Sequence, residues 1–195
     1  MYDASAFDSR DELVITDGWT IIDSGHCVHE TTDFLCLINN IKRYVNIKEI
    51  KEGTLVQTYK EGYVKVKCII KNSCFNSKEN IKYKFYRMKK EKKEILTHDL
   101  LITGKHCVLY DNITEKQHKK MNLMGIENLK VHDKYKLCSI YDYAFEGETN
   151  EKIEDIYTMV LESDDNDKVY GVYVNGGILI ETCSINACKN LGLIF

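Results

Sequence analysis

Leu100-Leu101-Ile102-Thr103-Gly104-Lys105-His106-Cys107-Val108-Leu109 is the stretch on which the reading of this chain turns. Two short apolar runs enclose a Thr-x-x-His pair, so a hydroxyl and an imidazole fall where one strand turns or bulges into the next. Upstream, Cys27 opens Cys27-Val28-His29-Glu30-Thr31-Thr32, and a succession of strand-like segments follows.

Outward from this stretch, alternation is frequent and helical periodicity nearly absent. Tyr63-Val64-Lys65-Val66-Lys67-Cys68-Ile69-Ile70 alternates as a strand with Val64, Val66 and Cys68 on one face. Phe34–Ile38 and Lys42–Ile47 flank Asn39-Asn40, a pair that tolerates positive φ and suits a tight hairpin turn. Lys60-Glu61-Gly62 and Asn175-Gly176-Gly177 supply further turns between apolar segments. Many short strands at this spacing predict an all-β sandwich or closed β-fold. A short helix is expected around Ile185–Leu191 and a brief turn through Ile47–Lys51, with loops at 72–80, 111–128 and 146–156.

At 195 residues and 44% hydrophobic, the chain suits one domain with a sizeable core. Its net charge of −3 is unevenly spread. Residues 1–26 carry Asp3, Asp8, Asp11, Glu12, Asp17 and Asp23 against Arg10; Lys78–Lys93 is basic and Glu146–Asp167 acidic. These stretches read as solvated loops of opposite sign. The eight cysteines are not read as a disulfide framework, because the acidic N-terminus lacks the cationic and apolar regions of a secretory signal. Several lie inside apolar runs, where a thiol acts as a small hydrophobe. An intracellular, reducing compartment is expected, in a host or microbial cytoplasm or a virion. No segment approaches the ~18 apolar residues that a membrane helix needs.

The order of residues from Cys27 onward carries a family resemblance. Cys27 is followed by Thr32, then Phe34-Leu35-Cys36, Asn39-Asn40, Tyr44-Val45, Ile47-Lys48-Glu49-Ile50 and Gly53-Thr54-Leu55-Val56. Asp99–His106 then supplies the Thr-x-x-His block, and Tyr157–Glu162, Tyr170–Gly176 and Glu181–Ser184 complete the series. Roughly residues 27–188 resemble the Hint domains of hedgehog proteins, inteins and bacterial intein-like modules. The ending is most similar to Hint-like proteins of large DNA viruses. The resemblance implies an all-β Hint-like fold of many short strands in two pseudo-two-fold halves. It divides the chain into an upstream acidic segment, 1–26, and a self-processing domain, 27–195.

The chemistry implied is autoproteolysis. The Cys27 thiolate adds to the His26 carbonyl and converts the His26–Cys27 amide into a thioester, an N–S acyl shift. Amide resonance makes this step uphill, so the departing nitrogen needs a proton. His106 is the expected proton donor and Thr103 the polarising or positioning hydroxyl. Val174 precedes Asn175 where an intein closes on His-Asn, so asparagine cyclisation and splicing are not expected. The chain's own upstream segment is the substrate and water or a small nucleophile the acyl acceptor. No cofactor, metal or membrane partner is implied.

Competing readings attach to the same residues. Cys36 is a rival nucleophile, but its apolar neighbours argue for the core; Asp99 and His98 lie near the block without being expected to be essential. Cys27-x-His29, His106-Cys107, Cys183 and Cys188 offer soft ligands, yet no Cys-x-x-Cys occurs and the spacing matches no common zinc knuckle. Lys82–Lys90 interleaves cations with aromatics as a nucleic-acid surface does, but alternation favours a hairpin with inward-facing rings, and the acidic balance disfavours nucleic acid. A catalytically silent Hint-like structural or interaction module is the remaining alternative.

Overall fold

A computed structural model describes residues 27–76, 79, 81, 84–126 and 129–192. The acidic segment 1–26, and Lys78, Lys82 and Tyr83 of the basic stretch, lie outside the described residues. The architecture is all-β. Among the described residues, fourteen strands form one antiparallel sheet. In chain order they are β1 (Val28–His29), β2 (Asp33–Ile38), β3 (Ile41–Asn46), β4 (Leu55–Gln57), β5 (Tyr63–Phe75), β6 (Phe85–Met88) and β7 (Leu100–Thr103). There follow β8 (Cys107–Tyr110), β9 (Lys130–Val131), β10 (Lys134–Cys138), β11 (Phe145–Gly147), β12 (Ile153–Leu161), β13 (Gly171–Val174) and β14 (Ile178–Glu181). Among the described residues, two α-helices, α1 (Glu115–Leu123) and α2 (Ile185–Asn190), accompany them.

The strand order makes two halves that share β5. One runs β11-β6-β7-β1-β12-β5, the other β5-β4-β2-β13-β14-β8-β10-β9, with β3 paired to β2. The 13-residue β5 serves both because it pairs with β12 along its length and with β4 near its start. Val28, Phe34, Val56, Val66, Leu100 and Ile180 lie in the main buried cluster between the halves. β7 belongs to the first half and β8 to the second. The three residues between them therefore carry the chain from one half to the other, and His106 is the last of the three.

Local chemistry explains the hairpins. Asn39 and Asn40 take φ of 50° and 63°, the left-handed pair of a two-residue turn whose twist matches its strands. Gly62 (φ 71°) turns β4 into β5, and the short helix and the 3₁₀ turn Ile47–Glu49 fall where expected.

Three expected loops contain regular structure. β5 continues through Phe75 and β12 begins at Ile153, so most of 72–75 and 153–156 is a paired ribbon. This ribbon end is only partly buried, with Ile156 and Cys74 packed against Phe85 and Leu101 and its outer face carrying exposed contacts such as Lys71–Asp155 (2.6 Å). α1 lies inside 111–128 and buries Met121 alone, which left almost no apolar stripe to read. Its sequence mark was Thr114-Glu115-Lys116-Gln117, a reciprocal capping box that the structure forms.

The oppositely charged stretches are not simply solvated loops. β11 pairs with β6 so that Glu146 stands opposite Arg87. Arg87 bonds Glu148 (2.5 Å) and Asp99 (3.0 Å), while Glu146 takes Lys89 (2.9 Å) and Lys92 (2.5 Å). Phe85 is buried, as the expected inward-facing ring requires, and Met88 at the far end of β6 is buried as well. No helix among the described residues is long and apolar enough to cross a membrane.

Candidate active site

Cys27 lies immediately before β1, whose Val28 pairs with Ile102 of β7 on one side and Tyr157 of β12 on the other. This double pairing fixes the Cys27 backbone beside the end of β7, where Thr103 stands. The Thr103 N–H donates to the Cys27 carbonyl at 3.2 Å. The Thr103 hydroxyl donates to the same oxygen at 3.4 Å, and His106 Nδ1 lies 3.1 Å from it. Residues 76 and 79 positions apart in sequence thus meet at one atom. The atom they share is the carbonyl after Cys27. His26, the other half of the predicted scissile bond, lies outside the described residues.

The turn carrying these groups is itself held. His106 N–H donates to Thr103 O (3.0 Å), Ser139 Oγ to Thr103 O (2.9 Å), and Ser139 N–H to His106 O (3.0 Å). On its far side, His106 Nε2 meets the carbonyl oxygen of Glu181 at 3.1 Å, at the end of β14. Both ring nitrogens therefore face carbonyl oxygens, which only accept. A neutral imidazole has one N–H and serves one of them; the imidazolium serves both. The ring is 2% exposed, so leaving either contact unmade would be costly.

The Cys27 thiol points elsewhere. Its Sγ lies 3.3 Å from the Thr158 hydroxyl on β12, a buried residue that sequence reasoning did not single out. Nothing in an ordinary alternating strand marks Thr158; only the β1–β12 register brings it to Cys27. Glu181 was equally hidden. Its carboxylate is buried against Lys136 Nζ at 2.9 Å, across β8 from β14 to β10. The charge of Glu181 raises the Lys136 ammonium against the opposing cost of burial.

The rival residues are placed apart. Cys36 is fully buried within β2, and burial pushes its thiol up to about 12. Asp99 binds Arg87 and the Lys90 N–H, which holds its carboxyl below the usual range, with the backbone N–H the larger cause. His98 Nε2 donates to Thr31 O at 2.8 Å. Asn175 is a buried turn residue at φ 44°; its Oδ1 accepts the Asp33 N–H and its Nδ2 donates to Asp99 O. All eight cysteines are free thiols. Among the described residues, no three His, Cys, Asp or Glu side chains group as metal ligands.

No protein-family model and no curated protein sequence matches the chain. Among solved structures it is similar to the crystal structure of the gp41-1 intein, at 16% identity and a TM-score of 0.41, over 81% of this chain and 98% of that one.

Proposed function

We propose that this chain is a Hint-type self-processing domain that cleaves the His26–Cys27 bond without splicing. The observation that carries the reading is the convergence of Thr103 and His106, from the turn between two sheet halves, on the main chain of Cys27. In the proposed step, the Cys27 thiol gives its proton to solvent, its sulfur attacks the His26 carbonyl carbon, a C–S bond forms and the C–N bond breaks. The Cys27 nitrogen takes a proton from His106. The ring that serves the Cys27 carbonyl oxygen reaches the departing nitrogen by moving across a single Cα. An imidazolium held by two carbonyls is suited to that donation. Thr158 steadies the thiol, and Thr103 holds the Cys27 carbonyl through its N–H and hydroxyl. Water or a small thiol then releases residues 1–26. Asn175, bound through both amide atoms in its turn, supports cleavage rather than cyclisation.

A second reading is a catalytically silent module of the same fold. It is favoured by one feature: Thr103 and His106 bond the carbonyl after Cys27 rather than the nitrogen before it. Intact mass of the purified full chain, with and without dithiothreitol, separates the two. A thiol-accelerated product beginning at Cys27, absent in Cys27→Ala, supports self-processing. An unchanged full-length mass over days means the silent module.

A further inference from the structure

Two pairs of thiols lie at the same short separation in this fold. Cys107 and Cys138 are 3.2 Å apart across β8 and β10, and Cys183 and Cys188 are 3.2 Å apart at the start of α2. A disulfide bond is ~2.05 Å long, so either pair closes with about 1 Å of movement. Their surroundings differ.

Cys107 and Cys138 are directly opposed, and the next pair, His106 and Ser139, is joined by a backbone hydrogen bond. Cys107–Cys138 is therefore the non-hydrogen-bonded pair, where side chains come closest. Both residues are wholly buried between strands of the sheet. Burial, then the Cys138 thiol and the Glu181 carboxylate, raises Cys107 far above the usual thiol range. That dithiol is a piece of core.

Cys183 and Cys188 are just as buried, at 2% and 0% exposed, but sit at a helix boundary. Ser184 caps α2 by accepting the Ala187 N–H, which places Cys183 just before the cap and Cys188 in the fourth helical position. These are the staple positions that normally hold two hydrophobes together. The helix has six residues, and its Lys189 and Asn190 are exposed. A single short turn opening from the surface is enough to present Cys188, a much smaller opening than parting β8 from β10 requires. The hydrogen bond between the two sulfurs eases loss of the first proton from the pair and opposes loss of the second.

The pair also adjoins the candidate active site. Cys183 N–H donates to Met159 O (3.3 Å), next to Thr158 with its contact to Cys27 Sγ. Two residues before Cys183 is Glu181, whose carbonyl faces His106. One short segment, 181–183, therefore touches the supports of both the thiol and the imidazole.

We propose that Cys183 and Cys188 form a redox-active dithiol that closes to a disulfide by exchange with a small-molecule disulfide, and that its state controls the Cys27 site. The Cys188 thiolate attacks one sulfur of the small disulfide, whose S–S bond breaks and releases one thiolate. Cys183 gives its proton to that thiolate and attacks the Cys188 sulfur of the mixed disulfide. The protein S–S bond forms and a second small thiol departs. The dithiol loses two electrons and the small disulfide gains them. Control of the site rests on the self-processing reading; closure of the dithiol does not.

The test equilibrates the full chain with oxidised and reduced glutathione mixtures and follows intact mass with peptide mapping. The expected result is a Cys183–Cys188 disulfide forming at least about tenfold faster than any Cys107–Cys138 bond. Cys183→Ser and Cys188→Ser each remove it. A Cys107–Cys138 disulfide forming first, a mixed disulfide confined to Cys27, or no disulfide in the wild-type chain overturns the proposal. Cleavage is then compared in oxidised and reduced chain using hydroxylamine, a nucleophile that leaves disulfides intact. A several-fold rate difference, abolished in Cys188→Ser, supports control of the site; equal rates overturn control. Closure without cleavage in either state overturns self-processing and leaves the dithiol standing.

Discussion

The Cys27 thiol and the Cys27 main chain are served by different partners, Thr158 for the sulfur and Thr103 with His106 for the carbonyl. In the proposed reaction, that separation suits a group whose sulfur attacks while its nitrogen departs. On the proposed function, His106→Ala slows cleavage about 10²-fold or more, because the amine leaves without its acid. The time course of the released 1–26 fragment by mass spectrometry measures this, with Cys27→Ala as the zero. Thr103 and His106 were legible as a motif because their spacing survives in one continuous stretch. Thr158 was not, because its role comes from a partner strand. Cys36 shows how the fold chooses among eight chemically identical side chains. Its thiol, pushed up to about 12, stays protonated at mildly alkaline pH. Brief iodoacetamide treatment of the native chain at pH 8 therefore leaves Cys36 unmodified, while unfolded chain is alkylated there; peptide mapping reads the difference.

Between single residues and the whole sheet stand the turns, which set where each strand ends. Gly176 follows Asn175 at φ +101°, and a Cβ there would lie 2.2 Å from the carbonyl oxygen of Ile95. Both the backbone conformation and the approach of the 95–97 segment demand glycine. Gly176→Ala is expected to cost at least about 2 kcal/mol in urea denaturation, from positive-φ strain plus the displaced backbone. The Asn39-Asn40 turn was readable from local chemistry alone, since the asparagines and flanking strands announce it. The ribbon end of β5 and β12 was not. Its residues alternate between partly exposed faces, so no hydrophobic pattern marks them, and their order comes from pairing at long sequence separation. α1 shows the converse: its capping box is local, but one buried Met121 gave periodicity nothing to detect.

Across the whole molecule, the Lys136–Glu181 pair ties β10 to β14 over the intervening β8, and its two side chains are 11% and 1% exposed. Removing one partner strands the other charge in the interior. Lys136→Met is expected to destabilise the fold by about 3 kcal/mol by chemical denaturation, with loss of the β14 end that receives His106. The folded ammonium titrates above its ordinary value, so the pair's contribution is complete below that value and is lost only as pH rises through the raised one. By itself the sequence determined the all-β class, the Asn-Asn and Gly turns, the short second helix and the Thr103–His106 spacing, because each is written in neighbouring residues as turn chemistry or alternation. Only the tertiary structure decided that this motif meets Cys27, that Thr158 holds its sulfur, that Glu181 faces His106 and that Cys183 lies against Cys188. The physical reason is register: those contacts depend on which strands pair and where, a choice made by the packing of the two sheet halves together and by no single stretch of chain.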